Sequence, residues 1–117
     1  MKHLPDFRSP DFLREHLLHT LAFYDERAVD PSGGMYQHFK DDGTVYDTGT
    51  RHLVSSARFA IIFANAARAF PQHPRALAWL ASARHARAFL QRAHRHPESG
   101  GYAWVLQWER GKAEVQD

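Results

Sequence analysis

The residue with the clearest chemical potential is an arginine inside an apolar stretch. Arg58 lies between Leu53 and Phe70, where apolar residues fall on every side of a helical wheel. A helix of that kind is expected to be buried on most sides. Its guanidinium keeps its proton and needs acceptors. Two interpretations are open from the local sequence: Arg58 is a buried cation paired with a carboxylate, or it faces a ligand.

Histidines give weaker signals for chemistry. His16 and His19 are three residues apart on a predicted helix, but no third metal ligand stands at a useful spacing. His52 lies six residues before Arg58, nearly on the opposite side of a helix, which favours a capping or surface role. The sequence contains no glycine-rich phosphate loop, Ser-His-Asp set or metal-ligand cluster. We therefore expect neither a metal nor another cofactor.

Length and composition indicate one small unit, residues 1–117. A net charge of +2 and a hydrophobic fraction of 44% are ordinary for a soluble globular protein. No apolar run approaches the roughly 18 residues that span a membrane. The start, MKHLPDFRSPDF, lacks the apolar core of a signal peptide, and cysteine is absent. These features predict a cytoplasmic protein with no membrane partner.

Charge is distributed unevenly along the chain. The stretch 48–97 has no Asp or Glu but contains eight arginines. Such a block is typical of a nucleic-acid surface, or of packed helices whose acidic partners lie in another part of a larger protein. Interleaved Ala, Leu, Ile and Phe favour packed helices. A basic nucleic-acid-binding helical domain is therefore the less favoured alternative.

Three helices can be placed around these residues. Ser9, Pro10 and Asp11 form a helix start, and an apolar stripe carries that helix to about Asp25. The helix that contains Arg58 follows, with Thr48 or Thr50 as plausible caps. Prolines 71 and 74 end it and start a third helix, which runs to about Arg95. The predicted buried stripe of the third helix is Trp79, Ala83, Ala86, Leu90 and Ala93.

Two predicted β-hairpins alternate with the helices. Residues 35–39 and 44–47 flank the turn Asp42-Gly43, and residues 102–108 and 113–117 flank a turn near Gly111. Each hairpin follows a Ser-Gly-Gly sequence, and the spacing from Ser32 to Ser99 is 67 residues. One period contains a hairpin, an inner helix and an outer helix. Such repeats bury their apolar faces only against neighbours, and six of them would make a chain of roughly 400 residues.

The segment SSARFAIIFANAARAF, residues 55–70, resembles the N-terminal inner helix of the N-acylglucosamine 2-epimerase family. This family includes mannose isomerases and cellobiose 2-epimerases. The resemblance extends over essentially the whole chain and is also strong from Gly100 to Trp108. The family's Arg falls on Arg58, whereas Val54 replaces its usual Trp. The resemblance implies an all-α fold, an (α/α)6 barrel or toroid, of which residues 1–117 form the N-terminal portion with short β-hairpins linking the helices.

The resemblance also implies chemistry. Family members are sugar 2-epimerases or aldose-ketose isomerases that remove a proton next to a carbonyl and form an enediolate, whose oxygen needs a fixed donor. By resemblance, Arg58 supplies that donor as the catalytic residue of this chain. The family's catalytic histidines match none of the nine histidines here. Hairpin aromatics can stack on sugar rings, so we expect Tyr36, Tyr102 and Trp104 to bind substrate, with packing between hairpin and helix as the alternative.

The resemblance leaves several points open. The expected partner is a small-molecule monosaccharide or disaccharide, with a homodimer as an open possibility and no nucleic acid. The sugar, and the choice between epimerisation and isomerisation, do not follow from the sequence. The activity of 117 residues alone is doubtful, and the alternative is a non-catalytic helical module for sugar binding or assembly.

Overall fold

A computed structural model describes Leu4 and residues 6–117. Residues 1–3 and Pro5, part of the segment in which we expect no signal peptide, lie outside the described residues. The elements occur in the following order: α1 (Pro10–Tyr24), β1 (His38–Phe39), β2 (Val45–Asp47), β3 (Thr50–His52), α2 (Leu53–Ala69), α3 (Ala76–Phe89), a π-helical turn (Leu90–His94), β4 (Val105–Glu109) and β5 (Lys112–Val115). No helix in the described part of the chain is long and apolar enough to cross a membrane.

Helix α1 begins as its sequence predicts and is anchored at its far end. Ser9 is the N-cap, and its hydroxyl accepts a hydrogen bond from the Phe12 backbone N–H at 3.4 Å. Beyond the other end of α1, the Asp25 carboxylate accepts hydrogen bonds from Arg75 at 2.9 and 3.0 Å and from the Trp79 indole at 2.9 Å. This cluster joins the end of α1 to the start of α3.

Both predicted hairpins are confirmed. Strands β1 and β2 pair antiparallel, and β4 and β5 pair antiparallel across the turn that contains Gly111. Strand β3 was not expected, because residues 50–52 were interpreted as the start of the following helix. It pairs with β4, placing Arg51 opposite Leu106, and completes a three-stranded sheet in the order β3-β4-β5.

The predicted cap of the Arg58 helix is wrong. Helix α2 starts at Leu53 with His52 at the N-cap position and no side-chain cap. The Thr50 hydroxyl instead donates a hydrogen bond to the Asp47 carboxylate at 2.6 Å, while the Gly49 and Thr50 backbone N–H groups bond the same carboxylate. The Thr50 side chain therefore stabilises the turn before β3 and does not cap α2.

Helices α2 and α3 pack against each other and form most of the core. The predicted stripe on α3 is confirmed for Trp79, Ala83 and Ala86, all buried. The α-helical geometry ends at Phe89, earlier than expected, and the chain continues as the π-helical turn. The wider turn places His94 in the interior, with 1% of its surface exposed, where we expected Ala93.

Helix α2 is less buried than its apolar composition predicts. Its fully buried residues are Ser56, Phe63 and Ala66, whereas Ile61 and Ile62 are 58% and 49% exposed. The described elements cover mainly the side of α2 that faces α3, the partner it contacts most extensively. An apolar helix face thus lies open in the described part of the chain.

Candidate functional site

Arg58 lines a cleft of about 360 Å³ between α1 and α2. Ser55, Arg58, Phe59 and Ile62 follow the i, i+3, i+4, i+7 spacing of a single helix face, so α2 forms one wall. The cleft is lined mainly by apolar and aromatic side chains, among which Gln37, Ser55, Thr20 and Arg58 provide polar groups. The complete lining consists of Leu17, Thr20, Leu21, Tyr24, Gln37, Ser55, Arg58, Phe59, Ile62 and Phe63.

The Arg58 side chain is exposed rather than buried. Among the described residues, no carboxylate forms an ion pair with it. The sequence left two interpretations open. Within the described residues, Arg58 does not form the first of them, a buried pair with a carboxylate. The geometry leaves a permanent cation on the wall of a cleft, where an anionic group could approach it.

The buried arginine of this chain is Arg51, which sequence reasoning missed. Its side chain is fully buried and forms an ion pair with Asp30 at 2.5 Å. It also donates hydrogen bonds to the Thr48 carbonyl at 2.7 Å and to the Gly33 carbonyl at 3.3 Å. Burial lowers the pKa of the Arg51 guanidinium, and the Asp30 carboxylate opposes this effect. Arg51 thus ties β3 to the Ser-Gly-Gly turn that precedes the first hairpin.

The predicted aromatic contacts are not grouped around Arg58. Tyr36 is half-buried and places its ring 5.4 Å from the Arg51 guanidinium carbon. Tyr102 is 47% exposed and lines a separate cleft with Arg87 and Gln91. Trp104 is 61% exposed. None of the three lines the cleft that contains Arg58.

A hydrogen-bond chain leads from the Arg58 cleft into the core. The Gln37 amide nitrogen donates to the Ser56 hydroxyl at 2.8 Å, and that hydroxyl lies 3.0 Å from Nε2 of His94. Nδ1 of His94 lies 2.9 Å from the Ala103 carbonyl oxygen. Sequence reasoning missed this chain because its members are far apart along the polypeptide, although the polar Ser56 in an apolar helix is a signal that was available.

The surroundings of His94 favour its neutral form. Burial lowers its pKa, and the nearby Arg51 charge lowers it further, while the hydrogen bond to the Ala103 carbonyl acts in the opposite direction. A backbone carbonyl can only accept, so the proton of the neutral ring is on Nδ1. Nε2 is then an acceptor, and the Ser56 hydroxyl donates to it.

The other histidines considered in the sequence lie at the surface. His16 and His19 are exposed on α1, and His52 is exposed at the start of α2. Within Leu4 and residues 6–117, no group of three or more His, Asp or Glu side chains is arranged to hold a metal ion.

Comparisons with known proteins agree on one family. The family model for N-acylglucosamine 2-epimerase (GlcNAc 2-epimerase) matches residues 34–117. A D-mannose isomerase from Marinomonas mediterranea is 45% identical over 102 residues, which cover 87% of this chain and 25% of that protein. A crystal structure of D-mannose isomerase superimposes with a TM-score of 0.81 at 42% identity, covering 97% of this chain and 27% of the other. The chain spans about a quarter of the length of these relatives. It belongs to the N-acylglucosamine 2-epimerase family.

Proposed function

We propose that this chain is part of a sugar isomerase or 2-epimerase, with aldose-ketose isomerisation of a mannose-type sugar as the favoured reaction. The observation that carries the proposal is the 45% identity to a D-mannose isomerase across 87% of the chain. Arg58 on the wall of the α1–α2 cleft supports it, because a cation there suits a reaction that develops negative charge.

In the proposed mechanism, a base removes the proton from carbon 2 next to the carbonyl and forms an enediolate. Return of the proton to carbon 1, with transfer of the hydroxyl proton from oxygen 2 to oxygen 1, gives the ketose. Return of the proton to the opposite face of carbon 2 gives the epimer, so neither outcome needs an external oxidant or reductant. Arg58 stabilises the enediolate oxygen with its fixed positive charge. The acid-base residues are histidines of the longer protein, which suit proton transfer near neutral pH.

The architecture we propose for the longer protein is an (α/α)6 barrel to which this chain contributes the N-terminal portion. The Ser-Gly-Gly sequences that precede its two hairpins are 67 residues apart, with one inner and one outer helix between the hairpins, and the chain spans about a quarter of each relative. The open apolar face of α2 agrees with an inner helix that neighbouring repeats cover.

The proposal is tested with the complete protein by proton NMR in deuterated water, using D-mannose as the first substrate. Growth of ketose signals indicates isomerisation, and deuterium at carbon 2 of an epimeric aldose indicates epimerisation. No turnover of mannose or other aldoses would refute the proposal.

The role of Arg58 is tested in the same assay. Arg58→Ala should lower kcat by about 100- to 1,000-fold, the range for loss of one oxyanion donor. Arg68→Ala is the matched control, because Arg68 is exposed on the same helix and is absent from the cleft lining. Equal activity of both variants would remove Arg58 from the mechanism.

A further inference from the structure

We propose that Gln37 binds a sugar hydroxyl remote from carbons 1 and 2, and that Ser56 and His94 are positioning residues that hold the Gln37 amide for this purpose. The inference rests on the proposed function. It concerns specificity for the rest of the sugar, whereas Arg58 acts on the reacting carbonyl.

The orientation of the Gln37 amide is fixed from two directions. The His52 backbone N–H can only donate, so the amide oxygen faces it, at 2.7 Å. From the other direction, the Ala103 carbonyl places the proton of His94 on Nδ1, which makes Ser56 a donor to His94. The Ser56 oxygen is then left to accept from the amide nitrogen of Gln37. Both lines of reasoning give the same amide orientation.

Anchoring the start of α2 does not require the whole Gln37–Ser56–His94 hydrogen-bond chain. Gln37 already satisfies the backbone N–H of His52, the N-cap residue, through its amide oxygen alone. Ser56 and His94 are 2% and 1% exposed, and burying such polar groups is unfavourable unless each finds a partner. They find one in a chain whose outer end is the Gln37 side chain on the wall of the Arg58 cleft.

Gln37 retains hydrogen-bonding capacity toward the cleft. An amide has two N–H donors and two oxygen lone pairs. One N–H and one lone pair form bonds of 2.8 and 2.7 Å; among the described residues, the remaining hydrogen bond of the amide, to the His52 carbonyl, is 3.5 Å long and therefore weak. One donor and one acceptor remain for a ligand. A sugar hydroxyl both donates and accepts, so it matches this pair.

The experiment compares D-mannose with its 3-, 4- and 6-deoxy analogues in the complete protein. The wild type should lose about 2- to 12-fold in kcat/KM on one analogue, the range for one neutral hydrogen bond. Gln37→Met should have a lower kcat/KM for mannose than the wild type. Its kcat/KM should be the same for mannose and for that analogue. Gln72→Met is the matched control, because Gln72 is exposed between α2 and α3, and it should discriminate as the wild type does.

Ser56→Ala tests the positioning role. It also tests the inference if Gln37→Met does not fold. This substitution leaves the bond from the His52 N–H to Gln37 in place. Ser56→Ala should therefore raise KM for mannose with little change in kcat. KM for the affected analogue should stay unchanged. A purely structural role predicts equal losses on every sugar in both variants, and that result would overturn the inference. Unchanged discrimination in Gln37→Met would overturn it too. A wild type that turns over all four sugars equally refutes only this inference, whereas one that turns over no aldose refutes the proposed function and, with it, the inference.

Discussion

Removal of the Asp30 charge should destabilise the protein strongly, because it leaves the Arg51 cation buried without a counter-ion. The test substitution is Asp30→Asn, which keeps the side-chain shape and an oxygen for the bonds from the Ser32 backbone N–H and hydroxyl, at 2.9 and 2.8 Å. The ion pair is therefore the main interaction removed.

The expected magnitude follows from the surroundings of Arg51. Breaking a buried ion pair from one side typically lowers the free energy of unfolding by about 3 to 5 kcal/mol. Arg51 keeps its bonds to two backbone carbonyls and its position over the Tyr36 and Phe89 rings. These contacts partly compensate the charge, so we expect a loss near the lower end, about 3 kcal/mol.

Urea unfolding followed by tryptophan fluorescence measures this loss close to the pair. The Trp108 ring lies 4.9 Å from the Phe89 ring, and its indole N–H donates to Ser32 at 2.9 Å. Asp41→Asn is the control, because Asp41 is exposed in the turn of the first hairpin and should change stability by less than about 0.5 kcal/mol. The double variant Asp30→Asn/Arg51→Met should be more stable than Asp30→Asn alone. A loss no larger than that of Asp41→Asn would refute the reasoning.

Two further predictions concern backbone conformation and pH. Gly34→Ala should lower the free energy of unfolding by about 2 kcal/mol or more, because Gly34 has φ +71° and a Cβ there would lie 2.9 Å from the Phe89 ring. Gly111→Ala, at φ +75° with open space around it, should lower it by only about 1 kcal/mol. Equal losses in urea unfolding would contradict this prediction. Burial lowers the pKa of His94 below the usual 6.5 of histidine, so the unfolded chain binds more protons than the folded chain as the pH falls through that value. Stability should therefore decrease from about pH 7 to pH 5, and His94→Asn should flatten the curve of unfolding free energy against pH.

The sequence predicted those parts of the fold that depend on neighbouring residues. The start of α1 at Ser9, the two hairpins and the buried side of α3 at Trp79 follow from capping, turn and periodicity signals spaced a few residues apart. Strand β3 was missed because its strand partner, β4, lies more than 50 residues later. A residue that pairs across such a distance has no local pattern that separates a strand from the first turn of a helix.

In the candidate site, too, local features were predicted and long-range contacts were not. Arg58 was identified from its position in an apolar helix and by resemblance, but its exposure depends on which elements cover α2. Gln37 had no signal, because its partner Ser56 is 19 residues away and His94 reaches Ser56 only through the π-helical turn. One wider turn changes which side chain points inward, and a uniform helical period does not foresee it.

The charge pattern explains why Arg58 differs from the other arginines of the acid-free stretch. Arg51 and Arg75 pair with Asp30 and Asp25, two carboxylates that precede the stretch, so the missing acidic partners come partly from within this chain. Five other arginines of the stretch are exposed and lie outside the α1–α2 cleft; these are Arg68, Arg84, Arg87, Arg92 and Arg95. Arg58 belongs to neither group, because it lies on the wall of the α1–α2 cleft, whose lining also includes Gln37. A cation there is available to a substrate oxygen that becomes negative during reaction, which is the role we propose for it.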